Sequence, residues 1–230
     1  MIITIDGPAG TGKSTVARQV AERLSFDFLD TGAMYRAVAL EALRRRTDLR
    51  DARELGFVAR HSRIAFDWTK RPPALLLNGE PVGHLLRGSE VTSAASHVAA
   101  VPAVREQLVR EQQRIGAEHD NLVAEGRDQG TVVFPGAELK FYLDATPAER
   151  ARRRLAQLRA RGEMASSEEV LREILERDTR DSTRSVGPLT VPSGAEVIDT
   201  TNLSEQQVVE RIVDRAVSHL SVTRAGGMAV

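Results

Sequence analysis

The stretch Ile2-Ile3-Thr4-Ile5-Asp6-Gly7-Pro8-Ala9-Gly10-Thr11-Gly12-Lys13-Ser14 decides the fold. Its first five residues read as a short strand, and residues 7–14 fill every position of G-x-x-x-x-G-K-[ST]. Gly7, Gly10 and Gly12 permit turns that a Cβ forbids, so successive N–H groups can converge on one anion. Such a loop cradles nucleotide phosphates: the backbone from Gly7 through Pro8, Ala9, Gly10, Thr11, Gly12, Lys13 and Ser14 to Thr15 surrounds the anion. Lys13 neutralises the β/γ oxygens, and the Ser14 hydroxyl is placed to hold Mg²⁺. Ala17, Val20, Ala21 and Leu24 follow at helical spacing, so a helix starts here and directs its positive dipole end at the same anion.

Outward from this loop, Ser25-Phe26-Asp27-Phe28-Leu29-Asp30 reads as a second strand, Thr31-Gly32 as a turn, and the next residues as a helix ending on a surface triplet, Arg44-Arg45-Arg46. Residues 64–93 change character. Ile64-Ala65-Phe66-Asp67-Trp68 and Ala74-Leu75-Leu76-Leu77 are strand-like, and Asn78-Gly79 ahead of Glu80-Pro81-Val82 signals a hairpin. Pro102 opens another helix. Asn121-Leu122-Val123-Ala124 and Leu139-Lys140-Phe141-Tyr142-Leu143 are buried-strand candidates for a parallel sheet around the first strand. A helix from Thr146-Pro147 carries Arg150, Arg152, Arg153, Arg154, Arg159 and Arg161, too much charge for a buried element, and reads as a mobile lid. Ser166 with Glu169, and Ser204 with Gln207, box the starts of two further helices, and the tail Ala225-Gly226-Gly227 is expected to fray.

The chain's 230 residues suit one α/β domain with an insertion. Thirty-two basic residues balance 32 acidic ones, which argues against a broad cationic face for nucleic acid and places any phosphate binding in local clusters. Only Lys13, Lys70 and Lys140 are lysines; the other basic residues are arginines, whose fork matches phosphate oxygens in pairs. With no cysteine there is no disulfide framework, thiolate metal site or cysteine nucleophile. No leader and no membrane-length apolar run is apparent, so a cytoplasmic protein without a membrane partner is expected, and a monomer.

Arg177, Asp181 and Arg184, at i, i+4 and i+7, should share one helix face, two cations flanking a carboxylate. Asp30-Thr31-Gly32-Ala33-Met34-Tyr35-Arg36 offers a hydroxyl and an arginine where a strand turns into a helix, and Glu125-Gly126-Arg127-Asp128 lies just beyond another strand. In a parallel sheet the strand C-terminal ends collect on one edge, so these segments should face the phosphate loop across one cleft.

Taken together, the phosphate loop, Asp30-Thr31-Gly32 through Arg36, Ala95-Ser96 ahead of Val104-Arg105, Glu125-Gly126-Arg127-Asp128 through Thr131-Val132-Val133-Phe134-Pro135, and Arg177-Asp178 through Asp181 and Arg184 to Pro188-Leu189 resemble the bacterial cytidylate kinases over nearly the whole chain. Where members of that family often carry an acid before an alanine after Pro188-Leu189, this chain has Gly194 before Ala195. The resemblance implies a P-loop NTPase fold, with a parallel β-sheet core flanked by helices, a small β-rich insertion in the acceptor-binding region and a short helical lid. Its expected boundaries are core at 1–60, 98–148 and 186–230, acceptor-binding insertion at 61–97 and lid at 149–168.

The same resemblance implies γ-phosphoryl transfer from ATP to CMP or dCMP with Mg²⁺. It assigns Thr31, Arg36 and Arg127 to the CMP phosphate, Arg177, Asp181 and Arg184 to the phosphate and ribose, and Ser96, Arg105 and Asp128 to the base, with Glu125 in the same acceptor site. Lys13, Arg127, Arg153 and Arg184 are the expected catalytic cations, Arg153 as the lid's donor. Because the second pKa of a phosphate monoester is about 6, the attacking oxygen is already ionised at neutral pH and needs no protein base. The alternative is a small-metabolite kinase acting on an alcohol, resembling shikimate or gluconate kinases, which would need Asp30 or Asp128 as general base. A P-loop nucleotide switch would lack the second phosphate-binding cluster.

Overall fold

The computed structural model describes residues 1–226. In chain order its elements are β1 (Ile2–Asp6), α1 (Lys13–Leu24), β2 (Asp27–Asp30), α2 (Thr31–Arg44), α3 (Ala52–His61), β3 (Ile64–Asp67), β4 (Ala74–Leu77), β5 (Glu80–Pro81), α4 (Ser89–Val98) and α5 (Pro102–Glu118). Then follow β6 (Leu122–Glu125), a single π-helical turn (Gln129–Val133), β7 (Leu139–Asp144), α6 (Pro147–Ala160), α7 (Ser167–Thr183), β8 (Glu196–Asp199) and α8 (Glu205–Gly226).

Five strands form one sheet in the order β2-β6-β1-β7-β8, every pair parallel. The period of two along each strand splits the core. Ile3, Ile5 and Val123 join Val16, Val20, Val209 and Ile212 under α1 and α8. Leu122 and Ala124 point the other way, toward α2, α4 and α5. Beside this second layer lies the expected insertion, a three-stranded antiparallel sheet in the order β3-β4-β5 that buries Ile64, Leu75 and Leu77. Its hairpin turns at Asn78 and Gly79, both at positive φ as an Asn-Gly turn requires. The β character stops there. Residues 89–98 of the same region form helix α4, which packs on α2.

Three further local differences have physical causes. Thr31 and Gly32 are not a turn but the first residues of α2, because the Asp30 carboxylate accepts from Ala33 N–H at 2.7 Å and caps the helix directly on the strand. Helix α6 is not wholly exposed: Ala151 and Leu158 pack against Val170 and Ile174 of α7, and the resulting helical hairpin has its own small apolar cluster. The arginine-rich helix thus has a partner, and the unit it forms runs from Pro147 to Thr183, longer than the lid expected at 149–168. Both capping boxes are present, Ser166 with Glu169 and Ser204 with Gln207. The expected fraying of Ala225-Gly226-Gly227 falls at and beyond the last described residue, Gly226, where α8 is still helical; Gly227 lies outside the described residues.

Candidate functional site

Each of the five parallel strands ends on an acid: Asp6, Asp30, Glu125, Asp144 and Asp199. Each carboxylate then anchors the segment that leaves or faces its strand. Asp6 accepts from Gln129 N–H at 2.9 Å and Gly130 N–H at 2.8 Å, Glu125 from Ser14 Oγ at 2.7 Å, Asp144 from Ala145 N–H and Asp199 from Thr201 N–H. Asp30, besides capping α2, receives two hydrogen bonds from Arg36 at 2.9 and 3.2 Å. The C-terminal edge of the sheet is therefore a row of anchored loops, with the phosphate loop at its centre.

In that loop Gly7, Gly10 and Gly12 all have positive φ. At Gly7 the requirement is doubled, since a Cβ there would stand 2.0 Å from the Leu143 carbonyl oxygen. Lys13 lies under the loop, 5% exposed, and donates to Pro8 O at 2.6 Å. Burial, then the nearby guanidinium groups of Arg127 and Arg177, hold its ammonium pKa well below the usual lysine range. Burial and the facing Asp30 push Glu125 up to about 7, against the pull of Lys13. Glu125, expected in the acceptor site, lies between the two sides: its side chain accepts from Ser14 Oγ on the loop at 2.7 Å, while its main-chain oxygen accepts from Thr31 Oγ1 at 2.7 Å.

Across the edge from the loop, a cationic cluster forms from three segments distant in sequence, around Arg36, Arg127 and Arg177–Arg184. Arg127 Nε donates to Asp181 at 3.0 Å, and Arg184 NH1 lies 3.7 Å from the other oxygen of the same carboxylate. Arg177 stands beside them, its pKa pushed down to about 10 by burial and by Arg127. Nε of Arg36, Nε of Arg177 and one terminal nitrogen of Arg184 are buried without a hydrogen-bond partner. Buried donors of this kind call for an acceptor, and together with Lys13 they make the cleft a place for anions. Arg184 is here by a different route from the one expected. Helix α7 ends at Thr183, so Arg184 is its extended C-cap rather than a third residue on its face, and its Nε donates to Gly187 O at 2.5 Å.

Beyond the cluster, Arg105 (1% exposed) is ion-paired to Asp128 and donates to Ala99 O at 3.2 Å. Its guanidinium carbon lies 5.3 Å from the ring centre of Tyr35, whose buried hydroxyl is held up at about 12. A Cβ at Gly187 would come within 2.4 Å of Asp128 and 2.6 Å of Arg105, so the loop after α7 can close over this pair only through glycine. Ser96, from α4, accepts from Arg180 at 2.5 Å.

One expected residue is elsewhere. Arg153 donates to Glu149 and, at 3.0 and 2.6 Å, to the hydroxyl and carbonyl of Thr200, on the opposite side of the phosphate loop from the arginine cluster. It lines a cavity of about 630 Å³ together with Gly12, Thr15, Gln157, Asn202 and Ser204. Two arginines of α6 reach the loop: Arg153 NH1 donates to Thr11 O at 3.5 Å, and the buried Arg150 donates to Ala9 O at 3.3 Å and pairs with Asp178 at 2.5 Å. Asp6, Gln129 and Arg180 have no expected role in the sequence, and Arg150 stands there only as one of the lid-helix arginines. Asp6 carries a signal as the one charged residue of its strand.

A phosphate loop facing an arginine-lined second anion site across a parallel sheet edge defines a P-loop phosphotransferase fold. The cytidylate kinase family model matches residues 3–218, and the chain belongs to that family. It is 48% identical over 212 residues to the cytidylate kinase of Caldanaerobacter subterraneus subsp. tengcongensis, covering 92% of each chain. To cytidylate kinase 1 of Haemophilus influenzae it is 44% identical over 220 residues, covering 96% of this chain and 93% of that one. Among solved structures, an uncharacterized protein from Eubacterium ventriosum matches with a TM-score of 0.52 at 12% identity, covering 95% of this chain and 98% of that one, a likeness of fold alone.

Proposed function

We propose that this enzyme transfers the γ-phosphoryl group of ATP to CMP or dCMP, giving ADP and CDP or dCDP. The observation that carries the reading is the set of partnerless buried N–H groups on Arg36, Arg177 and Arg184 facing a loop built for a second phosphate chain. Both substrates are anions, and both have a prepared cradle.

The acceptor's phosphate attacks as an ionised oxygen, so positioning and charge neutralisation make up the catalytic task. Lys13 and the loop N–H groups hold the donor's β- and γ-phosphates. Arg36, Arg127 and Arg177 hold the acceptor phosphate, with Thr31 beside them and Asp181 fixing the angle of Arg127. Charge spreading onto the transferred group then meets Lys13, Arg127 and Arg184. Arg153 and the 630 Å³ cavity lie where the donor's nucleoside would sit, so Arg153 is assigned to ATP binding rather than to the transferred group. The hydroxyl of Ser14 and the carboxylate of Glu125, 2.7 Å apart, are hard oxygen donors suited to Mg²⁺. When bound there, Mg²⁺ would supply charge neutralisation to the donor's phosphates. Among the described residues no group of three or more acidic, histidine or cysteine side chains could hold a metal.

For the base, Asp128 matches the exocyclic amino donor of cytosine and Arg105 its ring acceptors. Uracil reverses that pattern. A monomer acting on free nucleotides completes the reading; among the described residues no helix is long and apolar enough to cross a membrane. Coupled measurement of ADP release with CMP, dCMP, UMP, AMP and shikimate tests it. Turnover with CMP and dCMP, and little with the others, is expected; turnover led by shikimate or another alcohol would refute it.

A further inference from the structure

We propose that Arg180 is a positioning residue for the acceptor's base, acting through Ser96: it fixes which way the Ser96 hydroxyl presents its proton. The inference rests on the acceptor-site reading above and adds to it a residue without a motif of its own.

Ser96 is 9% exposed and lies in α4 one turn before Ala99, whose carbonyl accepts from Arg105, the partner of Asp128. A lone serine hydroxyl is a poor selector, because it can turn to donate or to accept. Arg180 removes that freedom. Its guanidinium has donors only, so at the 2.5 Å contact Ser96 Oγ must accept. The usual outlet for a helical serine, donation back to the carbonyl four residues earlier, is not used by Ser96. The hydroxyl proton is left to donate toward the cleft.

Cytosine offers a ring acceptor where uracil offers a ring N–H. A hydroxyl locked as a donor therefore complements Asp128: the carboxylate takes the amino group and Ser96 meets an acceptor. Arg180 also comes from α7, whereas Ser96 belongs to α4 in the insertion region. A second bridge runs the same way, from Arg161 NH1 to Arg87 O at 3.1 Å. The α6–α7 hairpin thus touches the insertion region through two side-chain hydrogen bonds, and one of them sets a hydrogen-bond polarity.

The test is a double-mutant cycle on the whole enzyme with Ser96→Ala, Arg180→Met and both, reading KM for CMP, KM for ATP and the CMP/UMP ratio of kcat/KM. Each single variant should raise KM for CMP about tenfold and lower the ratio, with KM for ATP unchanged, and the double variant should be no worse than Ser96→Ala. Arg180→Lys, also a donor without an acceptor, should recover most of the loss. Additive effects, or an Arg180→Met variant that moves both KM values alike or neither, would overturn the role of Arg180 while leaving the acceptor reading in place. Ser96→Ala without effect on CMP would overturn the assignment of Ser96 to the base and this inference with it.

Discussion

Ser14 Oγ donates to Glu125 Oε1 at 2.7 Å, tying the first turn of the phosphate-loop helix to the end of the neighbouring strand β6. The two residues lie 111 positions apart, and the parallel register of β1 with β6, Ile5 opposite Glu125, brings them together. A carboxylate there holds the serine hydroxyl where the nucleotide's metal would need it and sets a negative charge beside Lys13.

Replacing Glu125 by Gln keeps the shape and the acceptor but removes the charge. We expect Glu125→Gln to lower kcat on the order of a hundredfold, to raise the Mg²⁺ concentration needed for half activity, and to change KM for CMP much less. Steady-state kinetics over a Mg²⁺ series check this. An equal loss in the CMP term alone would return Glu125 to the acceptor site.

Base discrimination should rest on the buried Arg105–Asp128 pair. Asp128→Ala leaves Arg105 buried and without its counterion, so KM for CMP should rise by tenfold or more and the preference for CMP over UMP should collapse, while KM for ATP holds. Competition assays with the two nucleotides read the ratio directly.

Asp6 links stability to pH. Burial pushes its carboxyl up to about 6, against the two backbone N–H groups that favour the charged form. A folded pKa above the unfolded value of 3.8 means that the native state binds the proton more tightly. The favourable contribution is thus complete below about pH 4 and is lost as pH rises through 6. At full ionisation that loss is about 3 kcal/mol as an upper bound. Asp6→Asn has no such titration, so its unfolding free energy, measured in urea from pH 4 to 7, should lack this part of the wild-type slope. Identical slopes would place the titration elsewhere.

Arg150 ties the α6–α7 hairpin to the phosphate loop. Its pair with Asp178 joins α6 to α7, and its contact with Ala9 O joins both to the phosphate loop. Arg150→Met should destabilise by about 3 kcal/mol, through the carboxylate it leaves unpaired. Arg152→Met, which removes an exposed guanidinium paired with Glu149 three residues earlier on the same helix, should change stability by less than about 1 kcal/mol. Denaturant midpoints of the two variants separate the cases.

What the sequence made legible was local chemistry with a strong backbone signature. The loop at 7–14, the Asn78-Gly79 turn and the Ser166 capping box all appear where their residue types required. Two helices were not read. Helix α4 begins after Gly88 with no side-chain cap and is rich in serine and threonine, so neither its start nor its propensity stands out. Helix α3 has the Asp51 cap but only ten residues, with Leu55, Val58 and Ala59 as its buried stripe. Strand β8 has four residues and only Ile198 buried. The site was legible as a set of arginines but not as their division of labour. Arg150, Arg152 and Arg153 are neighbours in sequence, yet helical rotation sends one to Asp178, one to solvent and one to Thr200. Arg184 reaches the cluster only because the helix ends before it.

The double engagement of Glu125 has a final consequence. Its side chain belongs to the donor's loop and its peptide carbonyl to Thr31 on the acceptor side, so the gap that the phosphoryl group must cross is measured against the covalent frame of one amino acid. Such a caliper is set by β6 and its sheet register, apart from the elements that carry the expected base contacts. Retuning which base is accepted can therefore proceed in α4 and the loop after α7, while the axis of attack stays where the strand puts it.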